Sequence, residues 1–228
     1  MKALVGAITA RGGTIRLATP VERVVTEGGA VTAVRAGGAD HPADHVISTV
    51  PTPFVDRLAP DLPEAWRARY RAIDNIGVVC VVFRLKRPVT PHFWVNIAAP
   101  DVPIPGIIEF SNLRPVGDAV VYVPYYMPTT HPKWTWTDER FLAEAFAAIR
   151  RINPAVSEGD RIAHAVGRLR HAQPVCPPGF AAMLPPVATP IRGLQIADTS
   201  FYYPEDRGIA ESVRLGEAMA AATSRHPA

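Results

Sequence analysis

The chain has 228 residues, 48% of them apolar and 20% charged, enough for one large domain or two small ones and too apolar for a disordered chain. Its net charge of +3 is carried almost wholly by arginine, since the only lysines are Lys2, Lys86 and Lys133. The arginines are scattered among acids and apolar residues, which excludes the concentrated basic face of a nucleic-acid binder.

Cys80 and Cys176 are far apart and form no CxxC, so a disulfide framework is excluded and a reducing, cytoplasmic setting is expected. Cys80 sits in an apolar run, where a thiol acts as a small hydrophobe. His41 and His45 flank Pro42, which argues against the helix that would align them, and no metal site is expected. No segment approaches the roughly 20 apolar residues needed to span a bilayer. The first ten residues have too short an apolar run for a signal peptide and lead into Arg11-Gly12-Gly13 rather than a cleavage site.

Taken in order, residues 1–10 read as the tail of an amphipathic helix, with Leu4 and Ile8 on one face and Gly12-Gly13 ending it. Residues 14–17 alternate as a strand. Residues 21–26 and 30–35 follow as strands around a hairpin turn at Glu27-Gly28-Gly29, and residues 45–50 as another stopped by Pro51. A helix without its first turns has no N-cap and little stable length, so the chain is expected to begin in the middle of a domain. Residues 61–72 read as a helix with Pro63 in its first turn. Four strand-like runs follow at 77–85, 93–97, 107–111 and 119–126, and their short connections imply antiparallel pairing. Residues 78–83 are apolar without alternation, which predicts cover on both faces. Thr137 is a suitable N-cap for a helix burying Phe141, Leu142, Ala145, Phe146 and Ile149, and Asn153-Pro154 ends it. Residues 161–171 alternate as a strand, 194–197 form a short strand, and 208–222 form a last helix.

The chemistry concentrates at the end of this series. A strand closes on Asp198, a loop follows, and Gly208 opens a helix. A carboxylate at a strand's end can accept hydrogen bonds from ligand hydroxyls, and a helix N-terminus offers free N–H groups to an electron-rich ligand. Many strand–loop–helix units share this pattern without a ligand.

This segment resembles the C-terminal flavin-binding motif of the flavin amine oxidase and protoporphyrinogen oxidase superfamily, to which phytoene desaturases and UDP-galactopyranose mutases are related. The resemblance implies FAD as cofactor. It puts Ala197 at the small position closing the strand, in place of the commoner glycine, and Asp198 at the acid that meets the ribityl and pyrophosphate part. Gly208 and Ile209 fall beside the isoalloxazine ring, with Arg207 near it. Thr19-Pro20-Val21 is similar to the segment whose valine backbone meets the adenine, which points to Val21. Residues 44–51 resemble the strand returning to the nucleotide domain, and Ala172-Gln173-Pro174 with Gly179-Phe180 the exit from the substrate domain. The likeness runs collinearly over essentially the whole chain.

The expected architecture is therefore α/β, of mixed α+β kind. A partial FAD- or NAD(P)-binding Rossmann-like domain covers 1–55 and 190–228, and a substrate-binding domain with a mainly antiparallel sheet packed by helices covers 56–189. The family opens on a GxGxxG unit. Gly12-Gly13 and Gly37-Gly38 have neither its spacing nor its strand-to-helix context. The resemblance thus implies the C-terminal half of an FAD-dependent oxidoreductase that moves hydride from a small-molecule substrate to flavin, with a second chain as one source of the GxGxxG half. Two alternatives stay open: a remnant or binding module that no longer holds flavin, and a flavin-dependent mutase. Tyr122, Tyr125, Tyr126, Trp134 and Trp136 are candidates for an aromatic substrate pocket or for sheet-face packing, and no catalytic residue is assigned. Lacking a partner half, the first strands are expected to expose apolar edges and associate.

Overall fold

The computed structural model describes residues 1–225. The chain divides into a terminal unit, Met1–Ile73 together with the chain from Cys176 onward, and a central unit, Asp74–Val175. The sequence sets the boundaries at 55/56 and 189/190. Residues 56–73 nevertheless pack with the terminal unit, where Leu58, Leu62 and Tyr70 share a core with Val24, Leu194 and Ile196.

The terminal unit begins with α1 (Lys2–Ala10), which buries none of its side chains. Its end is closed by two backbone bonds, from Gly12 N–H to the Thr9 carbonyl and from Gly13 N–H to the Ile8 carbonyl, both 3.0 Å. Residues 14–17 do not form the expected strand. Their alternation satisfies the local pattern, but among the described residues no strand pairs with them. Three strands then form an antiparallel meander: β1 (Val21–Glu27), β2 (Ala30–Ala36) and β3 (Ala39–Pro42). Gly28-Gly29 and Gly37-Gly38 make its two turns, with φ of 57° and 74° in the first and 61° and 78° in the second. Two consecutive positive φ values match the twist of a tight hairpin and favour glycine pairs, so each Gly-Gly signals a turn. β4 (Val46–Ser48) leads into a 3-10 helix at Thr52–Phe54, then α2 (Val55–Leu58) and α3 (Glu64–Arg71). Pro63 lies before α3 rather than inside it: its ψ of 143° is extended, and it serves as the N-cap.

The central unit comprises β5 (Asn75–Leu85), β6 (Trp94–Asn96), β7 (Gly106–Glu109), α4 (Phe110–Leu113), β8 (Ala119–Met127), α5 (Asp138–Ile152) and β9 (Arg161–Pro174). Its strands form one antiparallel sheet in the order β6-β7-β8-β5-β9. The long, β-branched β5 takes the place between β8 and β9, where both its edges are bonded. Burial alternates along β5: Val79, Val81, Phe83 and Leu85 are fully buried, while Val78, Cys80 and Val82 are half-buried. The apolar run therefore has one sealed face rather than two. Phe141, Ala145, Phe146 and Ile149 of α5 belong to the core on the sealed side, each aromatic burial contributing about 1.5–3 kcal/mol. Thr137 caps α5 as expected, its hydroxyl accepting from Arg140 N–H at 3.4 Å. Glu109 is fully buried and ties down the loop before β6, accepting from the N–H groups of Val89 (3.1 Å) and Thr90 (2.8 Å).

The chain then re-enters the terminal unit through α6 (Phe180–Met183), β10 (Leu194–Ile196) and α7 (Ile209–Arg225). β10 runs parallel to β4, with Leu194 opposite Val46 and Ile196 opposite Ser48. A parallel pair needs a long crossover, and here the crossover contains the whole central unit. No helix among the described residues is long and apolar enough to cross a membrane.

Candidate functional site

The parallel pair β4–β10 sets the site, because both strands end together. Ala197, buried, follows β10 and donates its N–H to the Ser48 carbonyl at 3.1 Å. Asp198 comes next and is only 8% exposed. Its Oδ1 accepts from Ser200 N–H at 2.9 Å, capping the 3-10 helix Thr199–Tyr202. Its Oδ2 accepts from Thr52 N–H at 2.7 Å, at the start of the 3-10 helix that follows β4. One carboxylate therefore joins the two loops that leave the carboxyl ends of the strands.

The surroundings are polar. The hydroxyls of Ser48, Thr52, Ser200 and Tyr70 are all buried without a hydrogen-bond partner. Burial pushes the Tyr70 phenol up to about 12, with the nearby Asp198 charge adding to the rise and Arg69 opposing it.

From Ser200 the chain reaches α7 through a packed turn. Tyr202 and Ser212 are hydrogen-bonded through their hydroxyls at 2.9 Å, and Tyr203 stacks edge-on against Phe180 at 5.3 Å. Gly208 lies at the N-cap of α7, its carbonyl accepting from Ser212 N–H at 3.1 Å. Arg207 and Ile209 are exposed on either side, Ile209 at 86%. The first turn of α7 therefore faces outward, and a ligand can approach its N–H groups. One group lies there already. The Glu211 carboxylate folds back over Gly208, so that a Cβ at that position would collide with Glu211 Oε2. Glu211 is the third residue of the helix, where an acid complements the positive end of the dipole. The spacing from Gly208 was the available signal for it, and the sequence reading did not use it.

Ala197, Asp198, Arg207, Gly208 and Ile209 thus lie along one continuous stretch from the end of β10 to the start of α7. Val21 stands elsewhere in the unit. It opens β1 in the three-stranded sheet, is paired with Ala36 and is exposed. A separate cavity of about 650 Å³ lies at the other, amino end of β4 and β10, among Asp44, His45, Arg192, Gln195 and Thr223. Among the described residues no group of three or more His, Cys, Asp or Glu side chains is placed to hold a metal ion.

The aromatic candidates separate by strand register. Tyr125 alternates with Tyr122 and Tyr126 on β8. It is buried, stacks edge-on against Phe141 at 5.1 Å and has its phenol pushed up by burial. Trp136 packs on the same Phe141 ring at 5.5 Å, and Trp134 packs against the same core. These three serve the packing of the central unit. Tyr122 and Tyr126 point to the half-buried face, where Tyr122 neighbours Val82 and Ile108.

Comparison with known proteins gives the class first: the fold is shared with solved oxidoreductases. The chain is similar to a putrescine oxidase solved with bound putrescine (16% identity, TM-score 0.72, covering 99% of this chain and 52% of that one). It is also similar to an oxidoreductase from Methanosarcina mazei (18% identity, TM-score 0.66, 86% of this chain and 47% of that one). A third neighbour is a provisionally assigned protoporphyrinogen oxidase from Exiguobacterium sp. 255-15 (17% identity, TM-score 0.68, 87% and 46%). No curated protein matches the chain in sequence. The flavin containing amine oxidoreductase family matches residues 1–202, and the chain belongs to that family. It spans about half the length of the solved structures it matches.

Proposed function

We propose that this chain supplies the C-terminal half of an FAD-dependent oxidoreductase, in which hydride passes from a small organic molecule to the flavin. The observation that carries this reading is the Asp198 carboxylate bonded to Thr52 N–H across the carboxyl ends of two parallel strands, with the glycine-led α7 following in sequence. In open α/β sheets that end of the strands is where nucleotide cofactors bind. The bound flavin supplies the electron acceptor. This chain's residues do the holding. Gly208 and Ile209 offer N–H groups at the first turn of α7, Arg207 offers a cation next to it, and Ala197 with Asp198 shapes the wall. Val21 meets the adenine through its backbone. The central unit, Asp74–Val175, serves the substrate, with Tyr122 and Tyr126 as its aromatic contacts. The GxGxxG half comes from elsewhere, from a second chain or from a longer polypeptide. A reducing, cytoplasmic setting is part of this proposal, on the two widely separated cysteines of the sequence.

A second reading is favoured by Glu211. A carboxylate lying over Gly208 repels the electron-rich edge of a flavin, as expected of a remnant that has given up the cofactor. Titration of the purified chain with FAD, followed by flavin fluorescence, separates the two. The oxidoreductase reading expects saturable but weak binding that is lost on gel filtration and strengthens in Glu211→Gln. Absence of any saturable change in both proteins would leave the remnant. Stoichiometric flavin retained through gel filtration would overturn the idea that half of the contacts lie elsewhere.

A further inference from the structure

We propose that one end of the central sheet is a docking surface for an anionic lipid bilayer, which it touches without spanning. The proposal concerns the central unit alone and stands apart from the flavin reading. β5 ends where β8 and β9 begin, with Leu85 opposite both Ala119 and Arg161, and β7 ends beside them, with Glu109 opposite Val121. β6 begins at the same end, where Trp94 faces Ile108. The chain enters and leaves the unit at the other end, where Asn75 pairs with Pro174.

Two segments cover this end: the loop from β5 to β6, and α4 with the turn into β8. They are tied into one surface. The Asn112 amide donates to the carbonyls of Thr90 at 2.8 Å and His92 at 3.0 Å, which fixes α4 to the loop. Ser111 Oγ accepts from Val120 N–H at 3.2 Å, which fixes α4 to β8. Phe93, Trp94, Leu113 and Val116 are exposed on these segments, Trp94 at 55% and Leu113 at 62%. The Phe93 and Trp94 rings meet edge-on at 6.5 Å. The Trp94 indole N–H already donates to Asn96 Oδ1 at 2.8 Å, so placing the ring in an apolar layer leaves that donor satisfied.

Charge selects the partner. Residues 84–94 and 109–118 carry Arg84, Lys86, Arg87 and Arg114 against two acids, Glu109 and Asp118. Glu109 is fully buried, and Asp118 is paired with Arg84 at 2.9 Å. Arg87 is paired with Asp160 at 2.8 Å. Lys86 and Arg114 are exposed and form no ion pair among the described residues. The free charge of these two segments is therefore positive only. A second copy docked by two-fold symmetry would set this positive surface against itself. Nucleic acid would meet the cations but leave four large apolar side chains against phosphate and water. A bilayer with anionic headgroups answers both features. Its headgroups attract the cations, and the headgroup–acyl boundary accepts Trp, Phe and Leu side chains.

Co-sedimentation of the full chain with extruded vesicles tests this, using phosphatidylcholine alone and phosphatidylcholine mixed with phosphatidylserine. Wild type should pellet with the mixed vesicles, much less with phosphatidylcholine alone, and should detach as salt rises. Lys86→Gln and Arg114→Gln should each lower partition into the mixed vesicles about fivefold. Trp94→Gln combined with Leu113→Gln should lower it on both compositions, and Leu113→Gln alone serves if the pair shifts the urea midpoint. Absence of pelleting with either vesicle would overturn the proposal. So would full binding by all the variants at this end of the sheet, or a loss of binding on Leu4→Gln with Val5→Gln in α1 instead. Sedimentation velocity without lipid decides the remaining case. Variants that abolish self-association and leave vesicle binding untouched would assign the surface to a second copy and overturn the lipid reading.

Discussion

The central unit seals one face of its sheet with its own helix, whereas the terminal unit leaves α1 outside its core. In the central unit β5 is bonded along both edges, and the core around Val79, Val81, Phe83 and Leu85 is completed by α5. In the terminal unit α1 buries nothing, and α7 leaves Ile209 and Val213 exposed. β10 has its outer side covered, Ile196 N–H bonding the Val187 carbonyl at 2.9 Å, whereas β4 has β10 as its one strand neighbour among the described residues. Parallel strands are found almost always inside larger, covered sheets. The unit with the Asp198 site is thus the one whose terminal helices leave more apolar surface exposed. The other unit has the core of a small domain.

The largest expected effect tests the closure of the central unit. Phe141→Ala removes a fully buried ring that packs on both Tyr125 and Trp136, and should destabilise this unit by about 3–5 kcal/mol. Urea denaturation combined with hydrogen exchange should show β5 amides losing protection at lower urea while those of β1 and β2 are unchanged. If both units lost protection together, they would form a single cooperative block and the comparison would fail.

Much of this contrast was legible in the sequence. The central strands were visible because Val, Ile, Phe and Tyr concentrate between turn residues, and α5 because Thr137 precedes a regular apolar stripe. Residues 14–17 show where such reading stops. Their alternation matches a strand, but a strand exists only with a partner, and pairing is not encoded locally. The one-sided burial of β5 was hidden for the same reason, since an apolar run looks alike whether one face is covered or two. At the candidate site, Asp198 and Gly208 stood out by position and resemblance. The bond from Thr52 to Asp198 spans 146 residues and leaves no local trace apart from a proline where a capping side chain belongs.

A smaller effect separates the units by pH. Asp160 is buried, and its carboxyl is held down to about 2, first by Arg87 and then by the N–H and hydroxyl of Ser157. An unfolded aspartate titrates near 3.9, so between about pH 4 and 2 the unfolded chain binds more protons than the folded one. The stabilisation is complete above this window and is lost as pH falls through it. Acid titration of the central unit's fluorescence should therefore show a steeper loss in wild type than in Asp160→Asn. Equal slopes would mean that the Arg87 pair at 2.8 Å contributes nothing to stability.

The smallest expected effect bears on the openness of the terminal unit. Leu4 and Val5 of α1 are 58% and 42% exposed, so replacing both with glutamine removes apolar surface already in contact with water. Stability should change by no more than about 0.5 kcal/mol, the range of ordinary surface substitutions. Self-association should fall, because an apolar stripe on an otherwise polar surface promotes contact between copies. Sedimentation velocity over a concentration series measures the second quantity, and urea unfolding the first. A stability loss above about 1 kcal/mol would place α1 against a partner surface, at odds with an uncovered terminal unit. Unchanged stability with reduced association would show that α1 is a surface through which copies of this chain meet.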